Sequence, residues 1–224
     1  MKNIRLMHIP KTAGTAIRKT LEGIDNPPCV IDNTHKYKIW QYKDPDLGFC
    51  IRDPWERFCS AYWSMRLRNQ RQKISNTLPK NIQDNKIPEY TAQEKSIYKA
   101  TNNPDEFVTW LRKPGNAKKF TGNGKGLAKI IAPYQNWLGP LPKYKKYEHK
   151  VKCVFDTANI TKNFKKVFDI DLISDPFIAR KKEQFGDRKQ SYEISADNFA
   201  WFQTYRESDY ALLEYISKQE YYYG

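Results

Sequence analysis

The sequence predicts an α/β fold: a single domain over residues 1–224 in which a mainly parallel sheet is flanked by helices. Three observations lead there. Cys29-Val30-Ile31 and Lys150 to Phe155 read as short strands, and Leu47-Gly48-Phe49-Cys50-Ile51 is a continuous apolar run, as a strand covered on both faces is. Helix-forming stretches lie between them, the alternation that builds parallel sheets. The chain is also long enough for a sizeable core, and no Ser/Gly/Pro-rich linker divides it.

The first strand runs from Ile4 to Ile9, the turn from Pro10 to Gly14, and a helix begins near Thr15 and continues through Ile17 and Leu21. A strand that opens into a helix N-terminus is an anion site, because backbone N–H groups there lack intrahelical partners and the helix dipole adds positive charge. Lys11 adds a full charge, Thr12 and Thr15 add hydroxyls, and Gly14 lets the backbone approach an anion closely. The G-x-x-x-x-G-K-[ST] spacing is missing, which argues against a loop for ATP and magnesium.

Pro27 and Pro28 lead into the strand Cys29 to Ile31, and the polar turn Asp32 to His35 follows. That places His35 past a strand end, on the edge of an open parallel sheet where ligands bind. The strand Leu47 to Ile51 delivers Arg52 to the same edge. Asp53 then serves as a helix cap and Pro54 as the first helical residue, and the helix runs toward Leu67 with its aromatic residues in the core. Arg57 and Ser60, three residues apart, share a face of it. The polar, basic stretch from Arg66 to Lys86 predicts a helix end and a mobile excursion.

Asn103 to Leu111 reads as a capped helix, Ile130 to Leu138 as another, and Gly122 to Gly126 as a plain connector. After the strand ending at Phe155, Thr157 or Asn159 can cap a helix from Ile160 to Phe168. A charged loop spans Arg180 to Tyr192. An amphipathic helix from about Ala196 to Ser217 closes the chain, its Phe199, Phe202, Leu212, Leu213 and Ile216 facing the sheet.

Lys and Arg outnumber Asp and Glu, 39 to 25, a net charge of +14 that favours a polyanionic partner: nucleic acid, a membrane surface, an acidic glycan or a nucleotide. Cys29, Cys50, Cys59 and Cys153 lack metal-type spacing and read as free thiols in a reducing compartment. Neither a signal-peptide pattern nor a stretch of membrane-span length is present, so a soluble, cytoplasmic protein is expected.

His8-Ile9-Pro10-Lys11-Thr12-Ala13-Gly14-Thr15 resembles the 5′-phosphosulfate-binding loop of sulfotransferases that use 3′-phosphoadenosine 5′-phosphosulfate (PAPS), most of all the carbohydrate-type family 2 enzymes. Arg52-Asp53-Pro54-Trp55-Glu56-Arg57-Phe58-Cys59-Ser60-Ala61-Tyr62 resembles that family's second signature, R-D-P-x-x-R-x-x-S-x-Y, which binds the 3′-phosphate. The resemblance implies a P-loop NTPase-like sulfotransferase fold and transfer of a sulfuryl group from PAPS to an acceptor hydroxyl, that of a carbohydrate, with no metal. It implies cofactor contacts from Lys11, Thr12, Ala13, Gly14, Thr15 and Ala16, and from Arg52 and Ser60. A planar guanidinium and a hydroxyl suit a phosphate.

It further implies that Lys11 is catalytic and that His35 is the general base; Glu56 is a reserve candidate from its place in the sequence, though beside Arg52 an ion pair suits it better. Phe185-Gly186-Asp187-Arg188-Lys189 is similar in part to the R-K-G-x-x-G-D-W-K loop that closes over PAPS in cytosolic sulfotransferases. Arg188 stands where the tryptophan would be, and is implied as a contact. Asp156 stands where the family often has a glutamate. Animal members are typically anchored in the Golgi by an N-terminal membrane helix, so the resemblance is to the soluble bacterial or viral type. The basic surface suits an acidic glycan as acceptor, while a lipid, a small phenol or a protein tyrosine would also present the hydroxyl the chemistry needs.

Two other readings stay open. Tyrosines interleaved with lysines, as in Lys143-Tyr144-Lys145-Lys146-Tyr147, suit a nucleic-acid-binding protein, though no recognisable RNA or DNA module accompanies them. A nucleotide kinase would need the missing Walker motif.

Overall fold

Among the described residues five strands, β1 (Ile4–Met7), β2 (Cys29–Ile31), β3 (Leu47–Ile51), β4 (Val151–Asp156) and β5 (Tyr222–Tyr223), form one sheet in the order β2-β1-β3-β4-β5. Every pairing is parallel. The computed structural model describes residues 4–32, 36–43, 46–77, 92–120, 131–173 and 192–224. His35, the connector Gly122 to Gly126, Arg188 and the distal part of the basic stretch, 78–86, lie outside the described residues.

The helices are α1 (Gly14–Leu21), α2 (Pro54–Thr77), α3 (Ala92–Ala100), α4 (Pro104–Arg112), α5 (Gln135–Leu138), α6 (Leu141–Tyr147), α7 (Ile160–Phe168), α8 (Ala196–Tyr205) and α9 (Glu207–Ser217). The chain groups into two compact units. The first comprises residues 1–54, 133–189 and 206–224; the second comprises 55–132 and 190–205.

The first unit holds the whole sheet. Ile17 and Leu21 of α1 and Phe164 and Phe168 of α7 pack with Ile4, Leu6, Cys50, Cys153 and Phe155, the side chains that the pleat sends to one face. On the other face Phe49 meets Tyr144 of α6 edge-on, and Tyr144 in turn meets Tyr215 of α9. Both faces are thus covered, which accounts for strands that read as continuous apolar runs. Of the two tyrosines in Lys143–Tyr147, Tyr144 is fully buried and serves the core, while Tyr147 is half-buried at the end of α6.

In the second unit an aromatic cluster, Trp55, Phe58, Phe107 and Phe202, joins α2, α4 and α8. Asn103 caps α4 as expected, its side chain accepting from the Glu106 N–H at 2.8 Å ahead of Pro104.

Three expectations are corrected. The helix expected to run toward Leu67, with its end inside the basic stretch, is helical to Thr77. Arg66, expected to open a helix end and a mobile excursion, ties α2 down: its Nη1 donates to the Thr101 carbonyl at 2.6 Å and to Tyr62 Oη at 2.9 Å. Of the helix expected over Ile130–Leu138, whose first residue lies outside the described ones, α5 is what forms; Pro133 lacks a donor and disfavours helical geometry at the residue before it. The long final helix is two, broken at Arg206, whose backbone leaves helical geometry; Phe202 packs in the second unit, Leu212 and Ile216 are buried in the first, and β5 follows.

Candidate anion site at the sheet's C-terminal edge

In this strand order the chain leaves β1 for β2 on one side and then returns to β3 on the other. The strand order therefore reverses between β1 and β3, and in open α/β sheets ligands bind in the crevice beyond the carboxyl ends of the strands at that point. Met7 is in register with Phe49, so the segments leaving these two strands, Pro10–Gly14 and Arg52–Asp53, flank it.

The segment after β1 is shaped by its own residues. Lys11 and Ala13 take left-handed backbone, φ 67° and 63°, on either side of Thr12, which does not. Such alternation turns successive N–H groups toward one side and makes an anion-binding concavity. Each of the two non-glycine residues holds a conformation that costs about 1–2 kcal/mol. Part of what holds it is Thr12, buried, with its hydroxyl donating to the Ile9 carbonyl at 2.8 Å. Thr12 thus closes the turn from within, where the sequence suggested a hydroxyl aimed at the ligand.

Ala16 and Ile17 donate their N–H groups to the Ala13 carbonyl, so Ala16 already belongs to the helix ladder. Gly14 and Thr15 supply the N–H groups that precede that ladder, and the Thr15 side chain is exposed.

Gly14 also meets a demand that the sequence does not show. Its φ is not positive. A Cβ there would lie 2.1 Å from His8 Cδ2 and 2.2 Å from Nε2: the imidazole at the end of β1 occupies the space of a side chain. His8, read as a first-strand residue that opens the resembled loop, packs its ring against Gly14.

Arg52 is held from behind. Its N–H donates to Tyr134 Oη at 2.9 Å, and the same hydroxyl donates to the Arg52 carbonyl at 2.9 Å. Tyr134 is fully buried, and its own N–H donates to Asp209 Oδ1 at 2.6 Å.

The remaining signature residues lie in the second unit. Ser60 is buried on the second turn of α2. Arg57 is spent structurally, its Nη1 donating to the Ala132 carbonyl at 2.8 Å, and Tyr62 donates its buried hydroxyl to the Thr101 carbonyl. Glu56 is exposed in the first turn of α2.

Other groups near strand ends are committed elsewhere. Asp32, after β2, accepts the Tyr42 hydroxyl in a short hydrogen bond and faces Arg5 at 3.8 Å. Burial, then that bond, drives the Tyr42 pKa well above its ordinary value. Asp156 accepts the Ala158 N–H at 2.8 Å and the Tyr222 hydroxyl at 3.0 Å, so it anchors β5 to the end of β4. Burial and that carboxylate push the Tyr222 hydroxyl up to about 12. His149 is exposed at the opposite edge of the sheet, just before β4.

Among the described residues no group of three or more His, Cys, Asp or Glu is placed to hold a metal ion, and no helix is long and apolar enough to cross a membrane. Compared with protein-family models, with curated proteins and with solved structures, the chain matches none.

Proposed function

We propose that this chain is a PAPS-dependent sulfotransferase acting on an acceptor hydroxyl, that of a carbohydrate. The observation that carries the reading is that the loop with alternating backbone and the guanidinium-bearing Arg52 follow the two strands between which the sheet order reverses. A donor carrying one phosphate at each end of its ribose asks for two such groups, and the two segments fit that demand.

Lys11 and the N–H groups of Ala13, Gly14 and Thr15 hold the 5′-phosphosulfate; Arg52 takes the 3′-phosphate by paired hydrogen bonds. Ser60 belongs to the other unit, and its share in the 3′-phosphate is tested by substitution alone. The acceptor oxygen forms a bond to sulfur as the bond from sulfur to the 5′-phosphate oxygen breaks. Negative charge grows on that phosphate, so Lys11 and the loop donors act more strongly in the transition state than before it. His35 accepts the acceptor's proton and releases it to water. The products are a sulfate ester and adenosine 3′,5′-bisphosphate.

The test is calorimetric titration with adenosine 3′,5′-bisphosphate and with 5′-AMP, with ATP plus magnesium and an oligonucleotide as controls. The bisphosphate is expected to bind far more tightly than 5′-AMP, and Arg52→Ala to remove about ten- to a hundred-fold of that preference. Lys11→Ala is expected to lower transfer of labelled sulfate from PAPS by about a hundred- to a thousand-fold. Equal affinity of the wild-type chain for the two nucleotides would overturn the reading.

A further inference from the structure

The Arg52 side chain leaves the backbone at the first position past β3, where ladder pairing ends: the Ile51 carbonyl still accepts the Thr157 N–H at 2.9 Å, while the pairing of residue 52 passes to a side chain. That side chain is the hydroxyl of Tyr134, accepting from one backbone group of Arg52 and donating to the other. A single hydroxyl thereby fixes both peptide planes about the Arg52 Cα, and with them the direction in which its Cβ departs.

Behind Tyr134 stands Asp209, almost wholly buried on the first turn of α9. Its Oδ1 holds the Tyr134 N–H, and its Oδ2 faces Arg206 Nη1 at 4.0 Å, itself buried. Burying a carboxylate and a guanidinium is costly unless both are engaged, so the pair is weak evidence of stability, and what it does fix is the place of the Tyr134 N–H. Tyr134 lies 82 residues from Arg52 in sequence.

We propose that Tyr134, itself set by Asp209, is a positioning residue that aims Arg52 and so sets how strongly the protein prefers a nucleotide bearing a second phosphate. The inference rests on the proposed role of Arg52 as the 3′-phosphate arm.

It is tested with Tyr134→Phe, which removes the hydroxyl and keeps the ring, by measuring affinities for adenosine 3′,5′-bisphosphate and 5′-AMP well below the melting temperature. The ratio of the two is expected to fall about three- to thirty-fold, the loss of one or two hydrogen bonds. The 5′-AMP affinity should stay within about twofold. In an Arg52→Ala background the same substitution should leave the ratio where Arg52→Ala alone puts it, because Tyr134 acts only through that side chain.

Asp209→Asn keeps an oxygen for the Tyr134 N–H without its charge, and is expected to lower the ratio about two- to fivefold; it carries the test if Tyr134→Phe does not fold. Proportional weakening of both nucleotides, an unchanged ratio, or a further fall in the Arg52→Ala background would overturn the inference while leaving the proposed function standing. Equal wild-type affinities would overturn both.

Discussion

Gly14→Ala is the substitution whose outcome the structure dictates most directly. Elsewhere an alanine replacing glycine on the first turn of a helix would be neutral or favourable, since alanine is the better helix former by about 1 kcal/mol. Here the new Cβ would sit 2.1 Å and 2.2 Å from two atoms of the His8 ring, and ordinary contact begins at 3.4 Å, so the ring or the start of α1 must retreat by over an ångström. Overpacking of this kind costs about 1–3 kcal/mol, which for a chain of this length is a fall of about 2–12 °C in Tm.

The retreat would also move the N–H groups of Gly14 and Thr15, so anion affinity should drop with stability. The decisive assay is a double-mutant cycle by thermal and urea unfolding. With His8→Ala already in place, Gly14→Ala should become neutral or stabilising by up to about 1 kcal/mol. The coupling between the two positions should then exceed about 1 kcal/mol. If the effects of the two substitutions add to within about 0.5 kcal/mol, the imidazole is not what requires the glycine.

Further outcomes concern the core and the second unit. All four cysteines are buried and free, and burial pushes the Cys29 and Cys153 thiols up to about 12. A thiol-specific disulfide reagent at pH 8 should therefore label native protein only as slowly as it opens, and label four thiols per chain in denaturant; a thiol that reacts within mixing time would contradict the packing. Asp105, in the first turn of α4, accepts from Asn198 Nδ2 at 2.7 Å and from the Ser195 N–H and Oγ. Desolvation alone would push its carboxyl up, but these bonds outweigh it and hold the pKa below its ordinary value. The stability this lends is present in full above about pH 4 and fades as pH falls through the lowered folded pKa. Asp105→Ala should thus lower Tm at pH 7, with the deficit shrinking below pH 4; a deficit constant from pH 7 to pH 2.5 would show that the charge plays no part.

What local sequence carries is what local physics decides. The runs Cys29–Ile31 and Leu47–Ile51 are strands with the expected bounds, because side chains buried on both faces leave a continuous apolar signature in the chain itself. Asn103 before Pro104, and the apolar spacing of Ile160–Phe168, likewise announce their helices from within a few residues. Lys11 and Arg52 were legible as edge residues for the same reason: each directly follows, or lies close behind, a strand that the composition marks.

Only the tertiary structure decided the rest, since each remaining feature joins residues far apart in the chain. A two-residue strand such as β5 has no pattern of its own and exists through its pairing with β4. The break at Arg206 separates Phe202, packed with Trp55 and Phe58, from Leu212 and Ile216 in the other unit, although the apolar spacing runs across it. The second arginine of the R-D-P-x-x-R signature went to the Ala132 carbonyl, and the backbone of the first to Tyr134. Gly14 was readable as a glycine that the turn needed, but the His8 ring packed against it adds a demand of its own, a contact in space that residue types and spacing do not encode.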